Sequence, residues 1–381
     1  MTASPINDKN VKTPPMNFPI ATLLAALSLL TTAAFSIAAS PPHHTSAPLP
    51  DHIGRAGMVA ATLPCRTGEE IVLAAGGANF PYAKLGAKTP AERGEKVFHA
   101  DVFLLRDGRW TTIGRLPRPI GYAAFTDMPQ GMVIAGGCNA DGHLKECMLV
   151  APGPDKQISI RELPPLPHPV AYPAFAREGT TLYVIGGQLA PDSTEALVSA
   201  YFLNLASSPL QWEKLPDMPG PGRILATGAI HDGKLLIMGG CSLAPDAKGQ
   251  AERTYLSSVR VLDTATRQWS TTPVADIPEP LAAAANPAPR SAQGTVLLIG
   301  GDPGNYYRAS LKNAAPLIHP GQSRAIYSFD PAKNTWTHVG EWPVGIATAP
   351  AVIYRGDILT ISGETYPGIR TAITGAASSS L

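Results

Sequence analysis

The segment GETYPGIRT, residues 363–371, holds the residue types best suited to chemistry in this 381-residue chain. Glu364 directly follows an apolar run typical of a strand end. Pro367-Gly368 has the signature of a type II turn, which predicts that Glu364 and Arg370 converge. A carboxylate can move a proton on and off a hydroxyl, and a guanidinium can hold a carboxylate through two hydrogen bonds. The pair therefore suits an anionic sugar, although an ordinary surface ion pair fits the same spacing.

Repeated apolar runs supply the elements that must position this segment. Six such runs end in Gly-Gly, or in Ser-Gly at the last, at steps of about 50 to 62 residues. A period near 50 with strand-ending glycines is typical of kelch-type blades, whose equivalent loops surround one mouth. The predicted fold class is therefore all-β, a six-bladed kelch-type β-propeller. The six pairs are Gly76-Gly77, Gly136-Gly137, Gly186-Gly187, Gly239-Gly240, Gly300-Gly301 and Ser362-Gly363.

The last blade is short, because only 18 residues follow Gly363. The segment TSAPLPDHIG, before Arg55, has the Leu-Pro pattern that elsewhere follows a fourth strand. We therefore expect the N-terminal segment to close the last blade, which removes two exposed sheet edges. The tail AITGAASSSL is poor in strand-forming residues, which argues against a third strand there. In four of the other five blades a Trp before a Pro-rich turn marks the fourth strand and is expected to fill space between blades, at Trp110, Trp212, Trp269 and Trp336; the second blade lacks this Trp.

GETYPGIRT resembles the GE-x-x-PG-x-R-T stretch of the N-acetylneuraminate epimerases, the sialic acid mutarotases. AGGANFP, residues 75–81, resembles that family's first loop after a glycine pair. The order of the repeats resembles the cyclically permuted branch of the family.

The resemblance implies that the protein interconverts the α and β anomers of N-acetylneuraminic acid by acid/base ring opening and closure, with no cofactor and no metal. It implies catalytic roles for Glu364 and Arg370, and a substrate pocket lined by Asn79, Arg118 and Tyr122. Ser362 departs from the pattern, because it replaces the first glycine of the sixth pair.

The N-terminus has the pattern of an export signal. Lys9 and Lys12 precede an apolar stretch over residues 18–39, and small residues follow. We expect residues 1–40 to be a signal peptide cleaved near Ala39, with an uncleaved membrane anchor as the alternative, and residues 41–381 to be an exported, periplasmic propeller domain. Nothing after this stretch is expected to contact a membrane.

Composition limits the remaining partners. The net charge is +1 with no basic stripe, so nucleic acid is not expected. In an exported protein, Cys138 and Cys147 are candidates for a disulfide, because they flank a hairpin-like NADGHLKE segment. The cysteine spacing fits no zinc site.

The main rival function is a non-catalytic kelch propeller that binds a glycan or a protein, since the fold does not determine function. A copper oxidase would need clustered Tyr, His and Cys ligands, whereas the nine His are dispersed. A sialidase would show Asp-box repeats and an arginine triad, which the sequence lacks. A dinucleotide site is also disfavoured, because no GxGxxG opens a helix.

Overall fold

The computed structural model describes residues 44–64, 68–85, 90–153, 157–312 and 319–380. These residues form six β-sheet blades around a central axis, which confirms the predicted kelch-type propeller. The proposed signal peptide lies outside the described residues, as does Cys65. Among the described residues, no helix has the length and hydropathy needed to cross a membrane.

In blades 1 to 4, four antiparallel strands pair in chain order from the axis outward. Short turns link the first strand to the second, whereas longer loops after the glycine pairs link the second to the third. The second strand of each of these blades is an almost continuous buried run, because each sheet packs both faces against its neighbours. The strands are Ala56–Pro64, Glu70–Asn79, Asp101–Arg106 and Arg109–Arg115; Ala124–Met128, Gly131–Ala135, Cys147–Pro152 and Ile158–Leu163; Ala174–Glu178, Thr181–Ile185, Ala200–Asn204 and Trp212–Leu215; and Thr227–His231, Lys234–Met238, Val259–Asp263 and Gln268–Trp269.

Blades 5 and 6 depart from this pattern. The inner segment of blade 5 is not a regular strand, because Pro287 and Pro289 have no N–H to donate to a ladder. In blade 6 the outermost strand, His44–Ser46, pairs with Thr374–Ser378, so the N-terminal segment closes the ring as predicted. The remaining strands are Val296–Ile299, Ala325–Asp330 and Thr335–Glu341 in blade 5, and Ala351–Tyr354 and Asp357–Ile361 in blade 6.

Shorter elements decorate the loops after the glycine pairs. Three pairs of them form two-stranded hairpins. The elements are Val97–Phe98, Cys138–Asn139 with Gly142–His143, Cys241–Pro245 with Ala251–Tyr255, Glu364–Tyr366 with Ile369–Arg370, and the helices Pro90–Arg93 and Asn305–Leu311.

The glycine pairs join neighbouring blades. In every blade the second glycine donates its N–H to a backbone carbonyl at the start of the next blade, over 2.7–2.9 Å. A Cβ at Gly300 would lie 2.3 Å from the carbonyl oxygen of Ile346, so only glycine allows this close approach. The six bonds run from Gly77 to Ile120, Gly137 to Val170, Gly187 to Arg223, Gly240 to Leu281, Gly301 to Ile346 and Gly363 to Arg55.

A closed ring of six backbone hydrogen bonds surrounds the axis at the end where the inner segments begin. Each member has a positive φ of 55–66° and donates its N–H to the member in the preceding blade over 2.8–3.0 Å. The ring satisfies backbone groups that the narrowing channel would otherwise leave without partners. Its members are Gly57, Tyr122, Tyr172, Leu225, Ala283 and Thr348.

The tryptophans pack between blades as expected. The indole N–H groups of Trp212, Trp269 and Trp336 donate to carbonyls of the preceding blade, those of Pro164, Pro216 and Ala275.

The structure corrects the expectation for the C-terminal tail. Thr374–Ser378 forms the third strand of blade 6, although its residues are weak strand formers. Close packing explains the difference, because a Cβ at Gly375 would lie 2.5 Å from the indole nitrogen of the buried Trp342. Small side chains are what this site accommodates, so tertiary packing outweighs intrinsic propensity.

The suggested Cys138–Cys147 disulfide is also wrong, because both thiols are free. Cys138 pairs with His143 in the short hairpin, whereas Cys147 begins the third strand of blade 2 opposite Ala135. The two cysteines therefore do not lie opposite each other. Burial raises the pKa of Cys138, and it raises the pKa of Cys147 to about 12.

Candidate active site

The Glu364–Arg370 pair lies at the mouth of the propeller, on the hairpin that follows the sixth glycine pair. The two residues are partners in its register, and Gly368 has φ 85°, as the type II turn requires. Nη2 of Arg370 lies 2.5 Å from Oε2 of Glu364. The side chain of Arg370 is 5% exposed and that of Glu364 is 19% exposed, so this ion pair is largely buried in the wall of the mouth.

The N-terminal segment supports this hairpin from behind. The N–H of Arg55 donates to the hydroxyl of Ser362 over 2.7 Å, and that hydroxyl donates to the carbonyl of Thr371 over 2.5 Å. A Cβ at Gly54 would lie 2.4 Å from the backbone carbonyl of Arg370. The candidate site is thus built on the seam where blade 6 meets blade 1.

Arg55 anchors that seam. Its side chain is fully buried and forms ion pairs with Asp51 and Asp101, while Phe103 lies 4.9 Å below the guanidinium. Burial lowers the pKa of Arg55, and the two carboxylates offset part of that shift. An unpaired charge here would be strongly destabilising, which ties the position of the site to the closing segment.

Three residues that the sequence motifs did not single out pack against the ion pair or its hairpin. The amide of Gln322 donates to Oε1 of Glu364 over 3.4 Å, and the ring of Phe80 lies 4.6 Å from the guanidinium carbon of Arg370. The side chain of Arg93 packs where a Cβ of Gly368 would sit. Phe80 could have been found from the sequence, because it follows Asn79 in AGGANFP. Gln322 and Arg93 could not, because they lie in loops with no repeating pattern.

Burial governs the pKa of Glu364. It raises the pKa above the ordinary 4.5, and the positive charges of Arg370, Lys96 and Arg93 offset part of that shift. A carboxyl whose pKa is shifted by burial and by a specific charged partner is a candidate for proton transfer.

Arg370 also has spare donors. Within the described part of the chain its Nε and Nη1 groups have no hydrogen-bond acceptor, although both are buried. A buried donor without a partner is costly, so these groups suit an incoming anion.

The three residues expected to line the pocket differ in their surroundings. Tyr122 belongs to the hydrogen-bonded ring at the base of the mouth, and the ammonium of Lys96 lies 4.3 Å above its aromatic ring. The side-chain oxygen of Asn79 lies 3.0 Å from Nε2 of His99. Arg118 forms an exposed ion pair with Glu146 at 3.0 Å.

No set of metal ligands is present among the described residues of this site. The described residues contain no group of three or more His, Cys, Asp or Glu side chains placed to hold a metal ion.

Comparisons with known proteins agree with this architecture. Residues 222–273 match the family model described as the kelch motif. A solved structure titled "Structure of YjhT" has a TM-score of 0.62, covers 86% of this chain and 95% of its own, and is 15% identical. At that identity the likeness shows the fold alone.

Curated relatives include proteins named N-acetylneuraminate epimerase. A Yersinia enterocolitica protein named N-acetylneuraminate epimerase is 29% identical over 238 residues, which is 55% of this chain and 55% of that protein. A Brucella suis protein of the same name is 33% identical over 106 residues, 27% of each chain. The resemblance to N-acetylneuraminate epimerases is confirmed. The matched region spans about half the length of the Yersinia relative, and less of the other.

Proposed function

We propose that this protein is an N-acetylneuraminate epimerase that interconverts the α and β anomers of N-acetylneuraminic acid. The observation that carries the proposal is the buried Glu364–Arg370 pair at the mouth, with its raised glutamate pKa and its spare guanidinium donors. The names of the curated relatives support the same substrate.

The sugar's carboxylate is the group that Arg370 suits. Nε and Nη1 each have an N–H without an acceptor, so the guanidinium can donate charge-assisted hydrogen bonds to a carboxylate while Nη2 contacts Glu364. The stack on Phe80 fixes the plane of that guanidinium. Lys96 and Arg93 add positive charge to the same mouth, which attracts an anionic ligand.

Glu364 is proposed to exchange protons with the bound sugar. Ring opening requires that the anomeric hydroxyl lose a proton, that the ring oxygen gain one and that the bond between the anomeric carbon and the ring oxygen break. The open-chain ketone then rotates, and closure on its other face gives the second anomer. The reaction needs only proton transfers, so the proposal includes no cofactor and no metal.

Substrate binding should itself prepare Glu364. In the free protein burial raises the pKa of Glu364, and the charge of Arg370 offsets part of that rise. A substrate carboxylate bound to Arg370 would neutralise that charge, so the pKa of Glu364 would rise further and its acid form would become more populated.

The proposal places the reaction in the periplasm. It is supported by the charged, apolar and small-residue order of residues 1–40, which is the order of a secretory signal.

The test is to follow freshly generated α-N-acetylneuraminate by proton NMR with the purified chain and with Glu364→Gln. We expect the wild type to speed the approach to equilibrium, and the variant to lose on the order of 10²–10⁴-fold in rate, which is typical for loss of a positioned proton-transfer group. Glu213→Gln is the matched control, because it removes an exposed carboxylate paired with Arg267 on an outer strand.

A folded wild type that binds the sugar without changing its rate of anomerisation would contradict the proposal and favour the kelch binding alternative. Equal rates for wild type and Glu364→Gln would remove Glu364 from the mechanism.

A further inference from the structure

A second carboxylate occupies the repeat position equivalent to Glu364 on the neighbouring blade. Asp302 directly follows the fifth glycine pair, as Glu364 follows the sixth. Both form an isolated β-bridge to the residue that precedes a member of the hydrogen-bonded ring, Ala282 for Asp302 and Ala347 for Glu364. The other four equivalent positions hold no acid: they are Ala78, Cys138, Gln188 and Cys241.

Asp302 is held by two donors. The hydroxyl of Tyr255 donates to its Oδ2 over 2.6 Å, and the N–H of Gly304 donates to its Oδ1 over 2.8 Å. Tyr255 comes from the hairpin of blade 4, and its ring lies where a Cβ of Gly304 would sit. The two donors fix the orientation of the carboxylate.

The two acids therefore have different partners around one mouth. Both are half-buried, but Glu364 lies against the guanidinium of Arg370, whereas Asp302 accepts hydrogen bonds from a hydroxyl and a backbone N–H. Burial raises the pKa of Glu364, and the negative charge of Asp302 adds to that rise. Two carboxyl groups with different partners can divide the roles of acid and base between them.

We propose that Asp302 is the second catalytic residue, the base that exchanges a proton with the anomeric oxygen while Glu364 exchanges one with the ring oxygen. The inference rests on the mutarotase function proposed above. On opening, the anomeric hydroxyl proton passes to Asp302, the proton of neutral Glu364 passes to the ring oxygen, and the bond between the anomeric carbon and that oxygen breaks. On closure both protons return by the reverse transfers, so no other reactant is consumed.

Tyr255 is then a positioning residue that acts through Asp302. Its hydroxyl holds the carboxylate in a fixed orientation, without itself exchanging a proton with the sugar. Burial, and then the charge of Asp302, raise the pKa of Tyr255 well above its usual value, so the hydroxyl stays protonated.

The test measures kcat and KM for anomerisation in Asp302→Asn and Tyr255→Phe. Asp302→Asn keeps an oxygen acceptor for Gly304 but removes the base, so we expect kcat to fall on the order of 10²–10⁴-fold with KM little changed. Tyr255→Phe removes the donor that directs the carboxylate, so we expect kcat to fall while KM changes little. Asp127→Asn is the control: it removes an equal charge, paired with Arg177, at the opposite end of the channel.

The outcomes separate this inference from the function on which it rests. An active wild type with an equally active, folded Asp302→Asn overturns the role of Asp302 and leaves the mutarotase proposal standing. An inactive wild type overturns both. If Asp302→Asn does not fold, Tyr255→Phe decides, and an unchanged kcat in the folded variant overturns the inference.

Discussion

At the scale of single residues, burial governs the chemistry around the mouth. The same loss of water that raises the pKa of Glu364 lowers the pKa of His99, because burial always disfavours the charged form. Types and spacing in GETYPGIRT were enough to predict that Glu364 and Arg370 meet. The sequence did not reveal how dry their surroundings are, since that depends on Gln322 and Phe80 from other blades.

His99 should make the fold sensitive to mild acid. Burial, and then the charge of Arg55, lower its pKa from 6.5 to about 4. The folded state therefore keeps His99 neutral while the unfolded chain takes up a proton below pH 6.5. The contribution to stability, about 3 kcal/mol at most, is complete above pH 6.5 and is lost as the pH falls toward about 4.

Urea unfolding of the wild type and His99→Gln over this pH range checks the prediction. The variant, whose amide still reaches Asn79, should show a flatter loss of stability on acidification. His338→Gln, at an exposed histidine, should follow the wild type. Parallel curves for the wild type and His99→Gln would contradict it.

At the scale of elements, the exception to the glycine pattern has a structural reason. Ser362 adopts φ 59° where the other blades have glycine, and its hydroxyl joins the N–H of Arg55 to the carbonyl of Thr371. The sequence showed the departure but not its role, because the partner Arg55 lies 307 residues away.

Replacing Ser362 should weaken both the seam and the site. Ser362→Ala leaves the buried N–H of Arg55 without a partner, so we expect a loss of about 1–3 kcal/mol in the free energy of unfolding. The rate of anomerisation should fall as well, because the hairpin that carries Glu364 loses its support. Denaturant unfolding and kinetics together measure this. Ser310→Ala, an exposed hydroxyl within a helix, should change neither; equal effects of the two variants would refute the prediction.

At the scale of the whole molecule, the period of the glycine pairs was sufficient to predict six blades, because each pair makes the same inter-blade bond. The closing strand was predictable from the shortness of the last blade. The ring of positive-φ residues could not be predicted. Its members share a backbone conformation but not a residue type, since Gly57 is a glycine and Leu225 is a leucine. The disulfide prediction was wrong because it assumed a single hairpin in which Cys138 and Cys147 lie opposite each other.

Closure of the ring by the N-terminal strand should be needed for the protein to stay soluble. A chain that lacks residues 1–46 would lose the His44–Ser46 strand and expose the edge of Thr374–Ser378. Compared with a chain that lacks only residues 1–40, it should unfold at a lower temperature and scatter more light on heating. Matching melting and scattering curves would show that the closing strand is dispensable.

The most direct test of the account is exchange between the two anomers at equilibrium, measured by proton exchange spectroscopy on N-acetylneuraminic acid. Because no net reaction occurs at equilibrium, cross-peaks that depend on the protein report catalysed interconversion alone. The account predicts such cross-peaks with the wild type and their loss with Glu364→Gln. Their absence with folded wild type, or their persistence at equal intensity with Glu364→Gln, would contradict it.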